Sequence, residues 1–168
     1  MASTQTWSEG NGANAATETG SRTEANWKRV DDSTTAYTSS PINSTNNENS
    51  MTKYQMIKFA GTWNSLSALT YKIDNNAPAT GLSIVGSVVS AGTTPSTSAS
   101  GDSAMSTTGL SANFVSSTFG YGAGTSSSTA SGTMYAQALR TQLQTTSSYA
   151  GGPGDIVSRT ITAQWTES

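Results

Sequence analysis

Serine and threonine fill 57 of the 168 positions, whereas Leu, Ile and Val together fill only 18, so any core must be built from few large side chains. Low aliphatic content often marks disorder, but disorder also goes with high net charge or a lack of aromatics. Here the formal net charge is -2, and 4 Trp, 6 Tyr and 3 Phe are spread from Trp7 to Trp165. Rings of that size bury large areas each. The composition therefore predicts a folded domain whose core is aromatic, with a thin margin of stability that a neighbouring subunit can supplement.

Cysteine and histidine are both absent. Disulfides, zinc sites with the usual ligands, thiol nucleophiles and imidazole general bases are thereby excluded. The five Asp and five Glu offer no recognisable acid/base pair. Asp31 and Asp32 are adjacent and would point to opposite faces of a strand. Asp74-Asn75-Asn76 lacks the glycine and terminal glutamate of a calcium loop and reads as a turn. Of Lys28, Lys53, Lys58 and Lys72, only Lys53 has Ser-x-x-Lys spacing, in Ser50-Met51-Thr52-Lys53, and neither the Ser-Asp-Asn nor the Lys-Thr-Gly partner of that pattern occurs in the chain. Gly120-Tyr121-Gly122-Ala123-Gly124 has no following lysine, so it reads as a turn and not as a phosphate loop. The expectation is a protein that is not an enzyme, with no catalytic residue, no cofactor and no metal. Eight basic residues against ten acidic ones leave no basic excess for phosphate backbones, so nucleic acid is not an expected partner. Residues 1–10 lack the basic and apolar regions of a signal peptide, and no apolar stretch is long enough for a membrane helix.

Along the chain, residues 1–25 are polar and carry one large ring, Trp7. They read as an extended N-terminal arm able to reach a neighbour and dock Trp7 there, leaving residues 26–168 as a single mainly-β domain. Residues 26–50 read as one short strand and loops. Residues 53–73 are the richest in large side chains, and Leu69, Tyr71 and Ile73 alternate with polar residues as in a half-buried strand. A turn at 74–78 leads to a second strand over 81–90. From Asn75 to Leu139 the only charged residue is Asp102. That stretch reads as short strands joined by Ser/Thr/Gly loops, with a surface easily buried because hydroxyls cost less to desolvate than ions. Tyr135, Leu139 and Leu143 recur at four-residue spacing among good helix formers, which predicts one short helix near 134–145. Val157, Arg159, Ile161, Ala163 and Trp165 alternate with polar residues and predict a C-terminal strand.

The run Trp27-Lys28-Arg29-Val30-Asp31-Asp32, then Ala36-Tyr37, Pro41-Ile42, Lys53-Tyr54-Gln55 and Lys58, precedes a hydroxyl-rich middle that is charge-free but for Asp102 and a β-branched C-terminal strand. In this it resembles the small virion structural proteins of tailed bacteriophages, of the capsid decoration or cement type. The resemblance implies a β-sandwich or jelly-roll-like body with an arm. It also implies assembly as a homo-oligomer in the virion, after synthesis in the host cytoplasm, with the major capsid protein or other virion proteins as partners. Rings available for such an interface are Trp7, Trp27, Tyr37, Trp63, Phe119 and Tyr121. The same features permit a neck, collar or tail-fibre component, and a third class is a secreted carbohydrate-binding or adhesive β domain.

Overall fold

The computed structural model describes residues 3–11, 17–24, 26–75, 77–88, 115–116, 119–121, 128–136, 139–152 and 158–168. These form nine strands: β1 (Thr4–Asn11), β2 (Thr17–Thr19), β3 (Lys53–Ile73), β4 (Leu82–Val88), β5 (Val115–Ser116), β6 (Phe119–Tyr121), β7 (Ser128–Ala136), β8 (Leu139–Thr145) and β9 (Ile161–Glu167). All pairings are antiparallel, and the strands join in one open sheet. The mainly-β expectation holds.

The 21-residue β3 is the spine. Along one edge it pairs first with β1, Thr4 opposite Ala60 through Gly10 opposite Tyr54, and then with β9, Leu66 opposite Glu167 through Ile73 opposite Ile161. Along its other edge lie β8, β7 and β5. β4 extends the sheet beyond β8, and β6 extends it beyond β7.

β3 does not keep a single phase. Ile57, Phe59 and Trp63 are buried, then Leu66, then Leu69, Tyr71 and Ile73, so the inward set shifts parity twice. Both shifts have a visible cause. The amides of Asn64 and Ser65 converge on the Ser168 carbonyl, at 2.7 and 3.0 Å, which places two residues of β3 against one of its partner. A second register shift lies between Ser67 and Thr70, where Ala68 has φ 53°. Bulges bend a strand and increase its twist. The bend brings the two halves of β3 over one core, in which Phe59 meets Trp165 edge-to-face at 5.3 Å and Trp7 lies 6.2 Å from Tyr71. Ile57, Leu66, Leu69, Ile73, Ile84 and Leu139 complete the buried cluster.

Three expectations are corrected. The region 134–145 is not a helix: β7 and β8 run antiparallel to β3 there, and no α-helix occurs among the described residues. Four is a multiple of two, so the spacing of Leu139 and Leu143 fits a strand as well as a helix, and pairing on both edges of β8 overrides local helix propensity. Within the supposed arm, Thr4–Asn11 is a strand of the sheet, held by seven register pairs to β3. Within 26–50 the described chain forms loops with single 3₁₀ turns at Tyr37–Ser39 and Ser44–Asn46 instead of a strand. The predicted C-terminal strand is observed as β9, and the strand expected over 81–90 as β4.

Ala68 gives a direct test of the second bulge. A left-handed φ strains any residue bearing a Cβ. Ala68→Gly is expected to raise stability by about 0.5–1 kcal/mol and Ala68→Val to lower it by about 1–2 kcal/mol, read from denaturant midpoints.

Candidate functional site

The inner face of the sheet changes character along β3. Directly opposite residues in an antiparallel pair share a face. Gln5 sits opposite Phe59, Trp7 opposite Ile57 and Glu9 opposite Gln55, while Lys53 sits opposite Thr141 on β8. From Phe59 and Ile57 the surface therefore passes to Gln55, Glu9, Lys53 and Thr141. Residues 22–24 and 26–32 cover this polar end, anchored where the Trp27 indole N–H donates to Thr141 Oγ1 at 3.0 Å.

The ions beneath it are paired. Lys53, with no exposed side-chain surface, donates to Glu9 Oε1 at 3.1 Å and to the Asp32 carbonyl at 3.2 Å, and Asp31 lies 3.9 Å away. Arg22 Nε stands 3.6 Å from the other oxygen of Glu9. Lys28, also buried, donates to Asp32 Oδ1 at 2.8 Å. Asp32 further accepts from the amides of Thr34 and Thr35 and from the Thr35 hydroxyl. The Lys28 ammonium first, and then the Thr35 hydroxyl, hold its carboxyl well below the usual carboxylate range. Asp31 and Asp32 thus serve different cations and do not act together.

Two cavities flank Trp27. One, of 310 Å³, lies between Trp7 and Trp27 and is lined also by Arg22, Glu24, Gln55 and Arg159. The other, of 510 Å³, shares Trp27 and Arg159 with it and continues to Tyr37, Ile42, Leu143 and Tyr149. Gln55 is 9 % exposed, and its Oε1 has no hydrogen-bond partner; the same holds for Nε of Arg22 and of Arg159. Among the described residues no three His, Cys, Asp or Glu side chains gather as a metal site, and no helix is long and apolar enough to cross a membrane.

Of the rings singled out in the sequence, Trp7 and Trp27 come together at the first cavity and Tyr37 stands exposed at the second. Trp63, at 2 % exposure, is core instead. Phe119 and Tyr121 lie on β6, and their side chains are outside the described residues. Gln55, Arg22 and Arg159 went unnoticed in the sequence. Gln55 carries one weak signal, a polar residue in phase with Ile57 and Phe59.

No protein-family model matches the chain, and searches of curated proteins and of solved structures give no match either.

Two outcomes follow from the ion pairs. Glu9→Gln removes the nearer of the two carboxylates that face the buried Lys53, leaving Asp31 at 3.9 Å, and is expected to cost up to about 3–5 kcal/mol by denaturant unfolding. Asp32 has a depressed folded pKa, so its contribution is present above the unfolded value of about 4 and is lost as pH falls through the folded one. Asp32→Asn is expected to flatten the fall in stability below about pH 4, measured by unfolding at stepped pH.

Proposed function

We propose that this chain is a non-enzymatic structural protein of a tailed-phage virion that binds across capsid subunits and stabilises the shell. The observation that carries the reading is where the charge goes. Lys28, Lys53 and Glu9 are buried in ion pairs, and Arg29–Glu48 and Arg159–Asp74 pair at the surface. Outside these, the exposed positions of β3 and β9 present Thr62, Asn64, Ser67, Gln164 and Thr166. A face of hydroxyls and amides is covered by a partner at low desolvation cost, through many weak contacts. Outer strands add unpaired backbone groups that another chain can extend. Closure of the bent sheet into a β-sandwich or jelly-roll-like body, and assembly as a homo-oligomer, belong to the same proposal.

Particles assembled with and without the protein test the role. Those lacking it are expected to lose integrity at lower temperature and under milder osmotic shock. Rebinding of the purified protein should change little between about 0.05 and 0.5 M salt, because few ion pairs cross such an interface. Equal resistance of the two kinds of particle overturns the shell-stabilising role and favours a neck, collar or tail position. Steep loss of binding at moderate salt contradicts the uncharged interface.

A further inference from the structure

We propose that β9 is the contact through which two copies of this chain pair, edge to edge and antiparallel, about a two-fold axis at Ala163. The inference rests on the homo-oligomer part of the function proposed above, to which it gives a contact, and does not need the virion role.

The hydrogen bonds of β9 fix which of its backbone groups are open. Ser65 and Ser168 exchange both amide–carbonyl bonds, at 3.0 and 3.1 Å, and the Asp74 amide donates to the Thr160 carbonyl at 3.1 Å. In an antiparallel ladder, residues that exchange bonds with one neighbour alternate with residues whose N–H and C=O point the other way. The even-numbered residues from Thr160 to Ser168 therefore bond to β3, and Ile161, Ala163 and Trp165 turn theirs outward. Among the described residues no strand pairs with that edge. The corresponding edge of β1 is occupied, by β2 from Glu9 to Asn11 and by the Arg22 amide, which donates to the Trp7 carbonyl at 2.8 Å.

Sheet edges are commonly guarded against pairing by charge, proline or a bulge. Residues 161–166 carry no charge and no proline, and charge stands only at the two ends, as Arg159 and Glu167. That placement selects a second copy of the same strand. Antiparallel pairing centred on Ala163 sets Arg159 of each copy opposite Glu167 of the other, and Ile161 opposite Trp165. These are all positions whose backbone groups face outward, so the side-chain register and the hydrogen-bond pattern agree. On the other face Thr160 meets Thr166 and Thr162 meets Gln164. Opposite charges, an aromatic against a β-branched residue and threonine pairs are the favourable combinations across strands. A slip of two residues loses both Arg–Glu pairs, which specifies the register. Ile161, Ala163 and Trp165 are only half-buried within one copy, so pairing covers apolar surface as well. Arg159 stands 3.7 Å from Asp74, and Glu167 accepts from Ser3, so both ions are already held at the strand ends.

A single strand pair is a small interface, so a monomer–dimer equilibrium with Kd of about 1–100 µM is expected on analytical ultracentrifugation of the full chain. Ala163→Pro removes the outward N–H at the axis and no bond to β3, and is expected to raise Kd at least about tenfold in a chain still folded by circular dichroism. Arg159→Glu sets acid against acid at both ends of the pair, and Glu167→Arg sets base against base. Each alone is expected to weaken self-association at least about tenfold, and an equimolar mixture of the two, in which both opposite-charge pairs are restored, to recover the dimer. A purely structural role of either residue would not produce that recovery. An oligomer that forms as tightly with folded Ala163→Pro, or a mixture of the folded charge variants as weak as either alone, overturns this contact and leaves the homo-oligomer reading standing. A chain that stays monomeric throughout the concentration range overturns both.

Discussion

The converging hydrogen bonds from Asn64 and Ser65 to the Ser168 carbonyl, at 2.7 and 3.0 Å, are the constraint on which the rest of the fold depends. Without a bulge, a 21-residue strand of alternating side chains would present one flat face and leave its rings spread over the length of the molecule. With two bulges, β3 turns its second half over its first. Ser168 returns the contact through its amide to Ser65 and through its hydroxyl to Ser65 Oγ at 2.7 Å. Beside it, Glu167 accepts from the Ser3 amide at 2.6 Å and from the Ser3 hydroxyl at 2.8 Å, so β1 and β9 meet at the bend. A chain with so few aliphatic residues reaches a buried core by folding one long strand onto itself, so that thirteen aromatics spread along the sequence need not all be buried.

The same geometry accounts for the polar end. Once the halves of β3 close around Phe59, Tyr71 and Trp165, the first residues of β3 extend past the aromatic core with Lys53 and Gln55 still on the inner face. Burying a cation there is tolerated only with a counter-ion and additional hydrogen bonds. Glu9 supplies the first, and the carbonyls of Val30 and Asp32 supply the second. Residues 22–24 and 26–32 are thus tied down by charge, and the gap they leave beside Trp7 is the cavity that Gln55 helps to line. Structural ions and candidate binding groups share one neighbourhood because both occupy the place where the apolar core stops.

What was legible in the sequence follows from how much of a strand is half-buried. Leu69, Tyr71 and Ile73 alternate with polar neighbours, and β9 does so as well, so both announced themselves. The first half of β3 did not: Tyr54 and Met56 are buried as well as Ile57, which erases the alternation. β8 was masked because Leu139 and Leu143 satisfy both periods, while Thr141 and Gln142, both buried, carry no apolar signal. In β1 the inward positions are Trp7 and Glu9, and a buried carboxylate reads as a surface residue until its lysine partner is placed beside it. The cavity was legible only as isolated tryptophans, since Gln55, Arg22 and Arg159 are far apart in sequence and are joined by the bend.

The bulged β3 is expected to make β1, both halves of β3 and β9 one cooperative unit. Native-state hydrogen exchange measures this directly. Amides of residues 54–60, 66–73 and 161–167 are expected to share one opening free energy, equal to that of global unfolding, with Asn64 and Ser65 among the protected set. A separate, lower-energy opening of residues 66–73 with β9, while β1 and residues 54–60 stay protected, would contradict it.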